Sequence, residues 1–150
     1  MRALLQRVAQ ARVSVDGERI ASIDAGLLVF AAVGIDDTRE DREWIARKVV
    51  DLRIFDDPQG VMNRSLIDAR GNVLAVSQFT LFASTRKGHR PSWSRAAPPD
   101  IAAPAFDDFV RILEAHLGVP IAIGRFGANM QVALVNDGPV TIWLDSRQRE

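Results

Sequence analysis

Hydrophobic and polar residues alternate along the first part of the chain, and this pattern predicts a β-hairpin. The alternation runs over residues 3–15, stops at Asp16-Gly17 and resumes over residues 20–23. Asp-Gly supplies the positive φ that a tight turn between two strands needs. An uninterrupted apolar run follows over residues 26–35. Because this run is too short for a membrane span, it predicts a central strand that is buried on both faces.

Two segments have the spacing of apolar positions that is typical of helices. The first is predicted over residues 38–52, where Thr38 and Asp41 have the spacing of a capping box and acidic residues crowd the first turn. The second is predicted over residues 101–117 and ends at Gly118, a typical C-cap residue.

The rest of the chain predicts short strands, turns and one long loop. Residues 61–68 are expected to be irregular or a short edge strand. Residues 83–100 have no clear period and hold three of the seven prolines, so they predict a long loop. Further strands are predicted over residues 72–82, 121–126, 130–135 and 140–144. The expected fold is α+β, with a mostly antiparallel, barrel-like sheet and two helices in one domain over residues 1–150.

The composition excludes several kinds of site. The 150 residues include no Cys, which excludes a disulfide framework, a Cys-ligated metal and a thiol nucleophile. Only His89 and His116 are present, too few for a three-His metal site in one subunit, and we expect no metal and no cofactor. The formal net charge of +0 argues against a non-specific nucleic-acid coat protein, so contacts with RNA must be local. The chain shows neither a secretory signal nor a long apolar run, so we expect a cytoplasmic protein without membrane contact.

The segment Ser77-Gln78-Phe79-Thr80 ends one of the predicted strands in polar residues. On a strand Gln78 and Thr80 point to the same side, so their side chains would flank one reacting group. The alternative is a strand end that merely reaches solvent. A Ser-His-Asp arrangement would have to recruit His89 or His116, and His116 is explained by its place at the negative end of a predicted helix.

Residues 85–95 concentrate positive charge in the predicted loop. They include four basic residues and no acid, together with Trp93 and several hydroxyl groups. On a chain of zero net charge this favours an anion-binding loop for phosphates, with Trp93 available to stack on a base. The alternative is a solvated loop in which Trp93 is a buried anchor. Arg2, Arg7 and Arg12 add charge in an acid-free first strand, although their spacing does not place them on one surface.

Residues 136–139 (Asn-Asp-Gly-Pro) are typical of a hairpin turn. Pro139 is unusual because it stands at the entry to a predicted strand, where it removes a ladder donor. Since only about 5% of X-Pro bonds in folded proteins are cis, the pattern alone does not predict a cis Gly138–Pro139 bond.

Taken together, these motifs resemble the D-aminoacyl-tRNA deacylase family over essentially the whole chain. Phe82 and Trp93 depart from the family, in which Tyr and Phe are common at these positions. The segments that carry the resemblance include Gln6-Arg7-Val8, Ser77-Gln78-Phe79-Thr80-Leu81, Thr85-Arg86-Lys87-Gly88, Gly124-Arg125-Phe126-Gly127-Ala128 and Asn136-Asp137-Gly138-Pro139-Val140-Thr141.

The resemblance implies an activity and a set of site residues. The expected reaction is hydrolysis of the ester that joins a D-amino acid, or glycine on tRNA(Ala), to the terminal adenosine of tRNA. The enzyme would reject L-aminoacyl substrates and so proofread chirality in translation. The implied partner is this tRNA, with no DNA, and the implied assembly is a homodimer in which a cis Gly138–Pro139 bond enters the active site of the other subunit. The implied catalytic residues are Ser77, Gln78, Phe79 and Thr80, the substrate-binding residues are Gly138, Pro139, Phe126 and Met130, and the tRNA-binding residues are Arg86, Lys87 and Arg90.

The residue chemistry is compatible with this reaction without a histidine base. An aminoacyl ester is already activated and its neighbouring ribose hydroxyl can assist water, so Thr80 would orient rather than attack. Backbone N–H groups near Phe79 and Thr80 would stabilise the oxyanion, and main-chain carbonyls of Gly138 and Pro139 would hold the substrate ammonium group and block an L side chain. Two other functions stay open: a non-catalytic RNA-binding dimer, and a serine or threonine esterase of small molecules that uses Ser77 or Thr80.

Overall fold

A long first strand organises the main sheet of the computed structural model, which describes residues 1–149. The strands are β1 (Arg2–Val15), β2 (Glu18–Ile23), β3 (Gly26–Ala32), β4 (Phe55–Asp56), β5 (Met62–Arg64), β6 (Asn72–Ser77), β7 (Ala122–Ile123) and β8 (Gln131–Asp145). The helices are α1 (Arg39–Asp51), α2 (Leu66–Ala69) and α3 (Pro99–Leu117), and a 3-10 turn spans Phe79–Phe82.

The main sheet has the strand order β2-β1-β3-β6-β7, and β8, which is off this path, pairs with β1 over most of its length. The three pairings of β1 are antiparallel, whereas β3–β6 and β6–β7 are parallel. Strands β4 and β5 form a separate antiparallel pair. The prediction of a mostly antiparallel α+β fold is confirmed, with a nearly closed, barrel-like sheet in which β6 and β7 run parallel to β3.

The central strand β3 separates two hydrophobic cores. Leu27 and Val29 belong to the core beneath α1 and α3, in which Phe109 is fully buried. Leu28 points the other way, into a core shared with β6 and with residues such as Val13 in the distal half of β1. Each fully buried Leu or Phe contributes about 1.5–3 kcal/mol, so both faces of β3 stabilise the fold. The prediction of a strand buried on both faces is confirmed.

Local signals placed the two long helices correctly. The Thr38 N–H donates to Asp41 Oδ2 at 2.8 Å, which completes the predicted capping interaction at the start of α1. Helix α3 begins two residues earlier than predicted, at Pro99, and Gly118 with φ +71° ends it as predicted.

A third helix, α2, was missed. It lies where an irregular segment or an edge strand was predicted, and only β5 matches that expectation. Ser65 and Asp68 cap the helix reciprocally: the Ser65 N–H donates to Asp68 Oδ2 at 2.9 Å, and the Asp68 N–H donates to Ser65 Oγ at 3.2 Å. The Ser65/Asp68 spacing was therefore the local indication of this short helix.

The strand boundaries that depend on distant partners were wrong. The strand predicted to reach residue 82 ends at Ser77 because its partner β3 ends at Ala32, and the chain then turns into the 3-10 segment. The two strands predicted at the end of the chain are one strand, β8, because β1 pairs with both halves across register shifts near Val8. Of the strand predicted over residues 121–126, only β7 forms.

No helix within residues 1–149 is both long and apolar enough to cross a membrane.

Candidate active site

A cavity of about 590 Å³ lies where β3 and β6 end. Its walls come from these strand ends, the start of the 3-10 turn, the loop before α3, the first turns of α3 and the segment that precedes β8. The volume is in the range of small-molecule sites. Within the described residues 1–149, no side chain that lines it is ionisable.

Five of the six residues predicted to form the site from one subunit line this cavity, and they are Ser77, Gln78, Phe79, Phe126 and Met130. Thr80 does not line it but lies directly behind, where the Gln78 side-chain amide donates a hydrogen bond to the Thr80 hydroxyl. The strand geometry assumed for this pair was wrong, since both residues follow the end of β6. Their side chains contact each other through this hydrogen bond, which the alternation did not predict.

The 3-10 turn fixes the backbone at the cavity wall. The Gln78 N–H donates to the Ala31 carbonyl at 2.8 Å, which extends the β3–β6 pairing by one residue. Within the turn, the Leu81 N–H donates to Gln78 O at 3.1 Å and the Ala83 N–H to Thr80 O at 3.0 Å. Phe79 and Thr80 precede these donors, and the first N–H groups of a helical turn have no acceptor within it. The Phe79 and Thr80 N–H groups therefore have no acceptor inside the turn, and Phe79 itself lines the cavity.

The hydroxyl groups at the site lack an activating base. Within residues 1–149, no hydrogen bond joins Ser77 or Thr80 to a histidine or a carboxylate, and His89 is exposed on the loop. Because the Thr80 oxygen accepts from Gln78, its proton is free to be donated to a water molecule or a substrate. The geometry suits orientation by Thr80 better than nucleophilic attack by it.

Aromatic rings with exposed surface border the cavity. Phe79 and Trp93 meet edge to face, with ring centroids 5.3 Å apart, and Phe126 packs on Phe106 at 6.4 Å. Phe79 is 56% exposed, and Trp93 and Phe126 are each 37% exposed. The interpretation of Trp93 as a buried anchor is therefore wrong. These faces are suited to stacking on a planar ligand group.

The predicted basic loop is a flap beside the opening of this cavity. Ser84 and Ser92 bond each other at its base, N–H to carbonyl, at 2.9 and 3.0 Å. We call residues 84–92 the basic flap. Arg86, Lys87 and Arg90 lie at its exposed end, and none has an ion pair within residues 1–149. Unpaired exposed cations favour contact with an external anion.

Gly138 and Pro139 lie away from the cavity of their own subunit. They are exposed in β8 opposite Arg7, and the bond between them is cis, as the resemblance implied. Arg7 pairs with Leu27 of β3, five residues or about 17 Å of strand from Ala32 at the cavity. Neither Gly138 nor Pro139 lines the cavity.

Residues 137–140 form a bulge in β8 opposite Arg7, and this buried arginine supports the bulge. The Arg7 guanidinium, on a residue only 6% exposed, donates to Asp137 O at 3.2 Å and to Ile54 O at 2.7 Å. The Asn136 side-chain amide donates to Arg7 O at 2.9 Å and to Val140 O at 3.0 Å, which joins the two sides of the bulge. The acid-free run of arginines in β1 was the available signal, but it did not reveal that Arg7 points inward.

A second arginine with buried partners lies at the start of β1, and the sequence analysis did not assign it a role. Arg2 Nε donates to Asp145 at 2.8 Å, and its Nη1 donates to the Leu81 carbonyl at 3.0 Å. Burial alone would raise the pKa of Asp145, but hydrogen bonds from the Arg147 N–H and from Arg2 outweigh it and lower that pKa. Within the described part of the chain, no cluster of three or more His, Asp or Glu residues could hold a metal ion.

Comparison with known proteins identifies the class as a deacylase, a hydrolytic enzyme. The family model described as D-Tyr-tRNA(Tyr) deacylase matches residues 4–145. The chain is 57% identical over 150 residues, the full length of both chains, to the D-aminoacyl-tRNA deacylase of Chromobacterium violaceum. The chain therefore belongs to the D-Tyr-tRNA(Tyr) deacylase family, and the resemblance found from the motifs is confirmed.

Solved structures share the fold. A structure described as c-Myc DNA Unwinding Element Binding Protein is 38% identical, with a TM-score of 0.91 over 97% of this chain and 98% of that chain. A second, described as a structural analysis of a probable eukaryotic D-amino acid tRNA deacylase, is 20% identical, with a TM-score of 0.82 over 95% of this chain and 97% of that chain. At that identity the second likeness shows the fold alone.

Proposed function

We propose that the protein hydrolyses the ester bond of D-aminoacyl-tRNA, and of glycyl-tRNA(Ala), and that it rejects L-aminoacyl-tRNA. Family membership supports the reaction class. The observation that carries the proposal is an uncharged cavity with Ser77, Gln78 and Phe79 on its wall, between exposed aromatic rings and a basic flap. A protein with this substrate works where translation takes place, so we place it in the cytoplasm.

The cavity and the basic flap would bind different parts of the tRNA 3′ end. Phe126 and Met130 would contact the base of the terminal adenosine, because the exposed ring of Phe126 and the polarisable Met130 sulfur suit a planar base. Arg86, Lys87 and Arg90 would bind the phosphates of the preceding nucleotides, since phosphate contacts supply most of the affinity for nucleic acid.

The chemistry would be attack by water on the activated ester. The N–H groups of Phe79 and Thr80 would donate to the carbonyl oxygen as negative charge develops on it. The Thr80 hydroxyl, which accepts from Gln78, would donate to the bound substrate or water and set its orientation. The neighbouring ribose hydroxyl would assist removal of the proton from water, and protonation of the departing 3′ oxygen would release free amino acid and tRNA.

The substrate's handedness would be read by a second copy of the chain. Gly138 and Pro139 are exposed, do not line their own cavity and lie opposite Arg7, whose partner Leu27 is about 17 Å along β3 from Ala32 at the cavity. This placement supports their insertion into the cavity of a partner subunit. Val135 and Trp143, on either side of them in β8, expose 49% and 48% of their surface and would contribute to a homodimer interface. Main-chain carbonyls of Gly138 and Pro139 would accept from the ammonium group and leave no room for an L side chain.

Release of amino acid from charged tRNA tests the proposal. The purified protein is incubated with tRNA(Tyr) charged with D-tyrosine or L-tyrosine, and with tRNA(Ala) charged with glycine. The expected result is rapid hydrolysis of the D-tyrosyl and glycyl esters, while L-tyrosyl-tRNA decays at its buffer rate. Equal hydrolysis of both tyrosyl esters, or none of either, would overturn it.

The same preparation separates the other functions. A non-catalytic RNA-binding dimer would bind tRNA without turnover, and a small-molecule esterase would be labelled at Ser77 or Thr80 by a phosphonylating probe. Because one solved relative is described as a DNA-binding protein, duplex DNA is included as a competitor. On our proposal it competes weakly at physiological salt.

A further inference from the structure

Arg2 joins the 3-10 turn at the cavity to the two longest strands. It is the first residue of β1 and lies opposite Asp145 of β8 in the strand register. Its guanidinium donates from Nε to Asp145 Oδ2 at 2.8 Å and from Nη1 to Leu81 O at 3.0 Å. The ion pair is largely buried, with side-chain exposures of 13% for Arg2 and 7% for Asp145.

The same guanidinium also packs on aromatic rings. Its central carbon lies 4.6 Å from the Phe82 ring centroid and 5.6 Å from that of Trp143. Phe82 is the last residue of the turn, so Arg2 contacts the turn through both a carbonyl and a ring. A planar guanidinium can make both contacts at once, whereas an ammonium group offers only a point charge.

This turn lies just beyond the end of the β3–β6 pairing. The β3–β6 pairing ends with the Gln78 N–H bonded to the Ala31 carbonyl, and the turn has two backbone bonds at its ends, from Leu81 to Gln78 and from Ala83 to Thr80. Short 3-10 segments have poor hydrogen-bond geometry and depend on their surroundings. The Leu81 N–H bonds the Gln78 carbonyl while the Leu81 carbonyl accepts from Arg2, so Leu81 links Arg2 to the residue that bonds Thr80.

We infer that Arg2 is a positioning residue, which holds the Phe79–Phe82 turn so that Gln78, Thr80 and the backbone donors face the reacting ester. This inference rests on the proposed deacylase function for its kinetic consequence, but not for its structural one. Misplacement of reacting groups by about 1 Å can cost a hundredfold in rate, so loss of this tether is expected mainly in kcat.

The test compares Arg2→Lys and Arg2→Met with a matched control, Arg42→Met. Arg42 pairs with Asp108 at 2.9 Å, with side-chain exposures of 15% and 23%, and joins α1 to α3 without contact with the turn. With D-tyrosyl-tRNA, well below the melting temperature of each variant, the Arg2 variants are expected to lose about ten- to a hundredfold in kcat with KM within about twofold. The control is expected to lose thermal stability but keep its kcat.

A readout without substrate keeps the inference separate from the function. Trp93 packs on Phe79 in the turn, so the ¹⁹F resonance of 5-fluorotryptophan at Trp93, assigned with Trp93→Phe, reports the position of the turn. It is expected to shift or broaden in Arg2→Lys and to stay unchanged in Arg42→Met. Unchanged kcat and an unchanged resonance in Arg2→Lys, or equal losses in the control, would overturn the inference. If the wild-type protein shows no turnover while the Trp93 resonance shifts in Arg2→Lys and stays unchanged in Arg42→Met, that result would instead contradict the proposed function.

Discussion

The Gln78 side-chain amide donates a hydrogen bond to the Thr80 hydroxyl, and this contact determines which hydrogen bonds the hydroxyl can still make at the candidate site. With its oxygen engaged as an acceptor, the hydroxyl has one proton to donate, and no histidine or carboxylate among residues 1–149 is bonded to it. The arrangement is that of an orienting group. It differs from a Ser-His-Asp arrangement, in which the hydroxyl donates to an imidazole.

Thr80→Val is expected to lower kcat on D-tyrosyl-tRNA by about ten- to a hundredfold, because the lost hydroxyl orients water or substrate but forms no bond to carbon. Thr80→Ser is the control and should retain most of the activity. Single-turnover hydrolysis with acid-quenched gels measures both. An acyl group trapped on Thr80, or complete inactivity of Thr80→Val with normal tRNA binding, would contradict this role.

Arg86→Ala and Lys87→Ala are expected to raise KM for charged tRNA severalfold with little change in kcat. Each substitution removes a phosphate contact, so the double variant should also show a weaker dependence of binding on salt, by about one to two units of the log–log slope. Arg111→Ala, an exposed arginine on α3 outside the basic flap, is the control. Salt titrations of tRNA binding measure the slope, and equal slopes for all variants would place the RNA elsewhere.

The capping box of α1, the doubly buried β3 run and the Gly118 helix end could be predicted because each depends on residues that are near in sequence. The end of β6 could not, since residues 78–82 are strand-like in composition and the strand stops only because β3 stops. The continuity of β8 likewise depends on β1. The alternation of residues within one strand gives no information about the length of the strand with which it pairs.

The candidate site was predicted in its members but not in its geometry. The motif supplied Ser77, Gln78 and Phe79, yet the contact of Phe79 with Trp93 joins residues fourteen positions apart and follows from the fold of the loop. The roles of Arg2 and Arg7 were missed because a charged residue in an apolar strand is first assigned to the surface. Only their buried partners, Asp145 and the Ile54 carbonyl, show that they point inward.

Asp145→Asn is expected to destabilise the protein by about 1–3 kcal/mol at pH 7, because it removes the charged partner of a largely buried Arg2. The pKa of Asp145 is lowered in the folded state, so its carboxylate stabilises the fold above pH 3.8 and this contribution is lost as the pH falls through the folded-state pKa. Urea unfolding of wild type and variant between pH 7 and pH 3 measures the difference. It should shrink at acid pH, and a constant difference would contradict the ionised pair.

Gly138→Ala is expected to abolish deacylation and to destabilise the bulge by about 1–3 kcal/mol. Gly138 has φ +124°, and an added Cβ would lie 2.8 Å from Val140 Cγ2 and 2.9 Å from the Val140 nitrogen. Gly17→Ala is the control, because Gly17 has φ +81° but open space around the added Cβ. Its expected cost is about 1 kcal/mol without loss of kcat. Thermal melts and D-tyrosyl-tRNA turnover distinguish the two sites.

The most direct test of the two-subunit site is complementation between Gly138→Ala, expected to be inactive, and Thr80→Val, expected to keep about 1–10% of wild-type kcat. The two are unfolded together, refolded at equal ratio and assayed on D-tyrosyl-tRNA. Random pairing makes about half of the dimers mixed, each with one intact cavity facing one intact Gly138, so activity should recover to about a quarter of wild type. Activity no higher than the average of the two separate variants would show that Gly138 does not serve the partner's cavity.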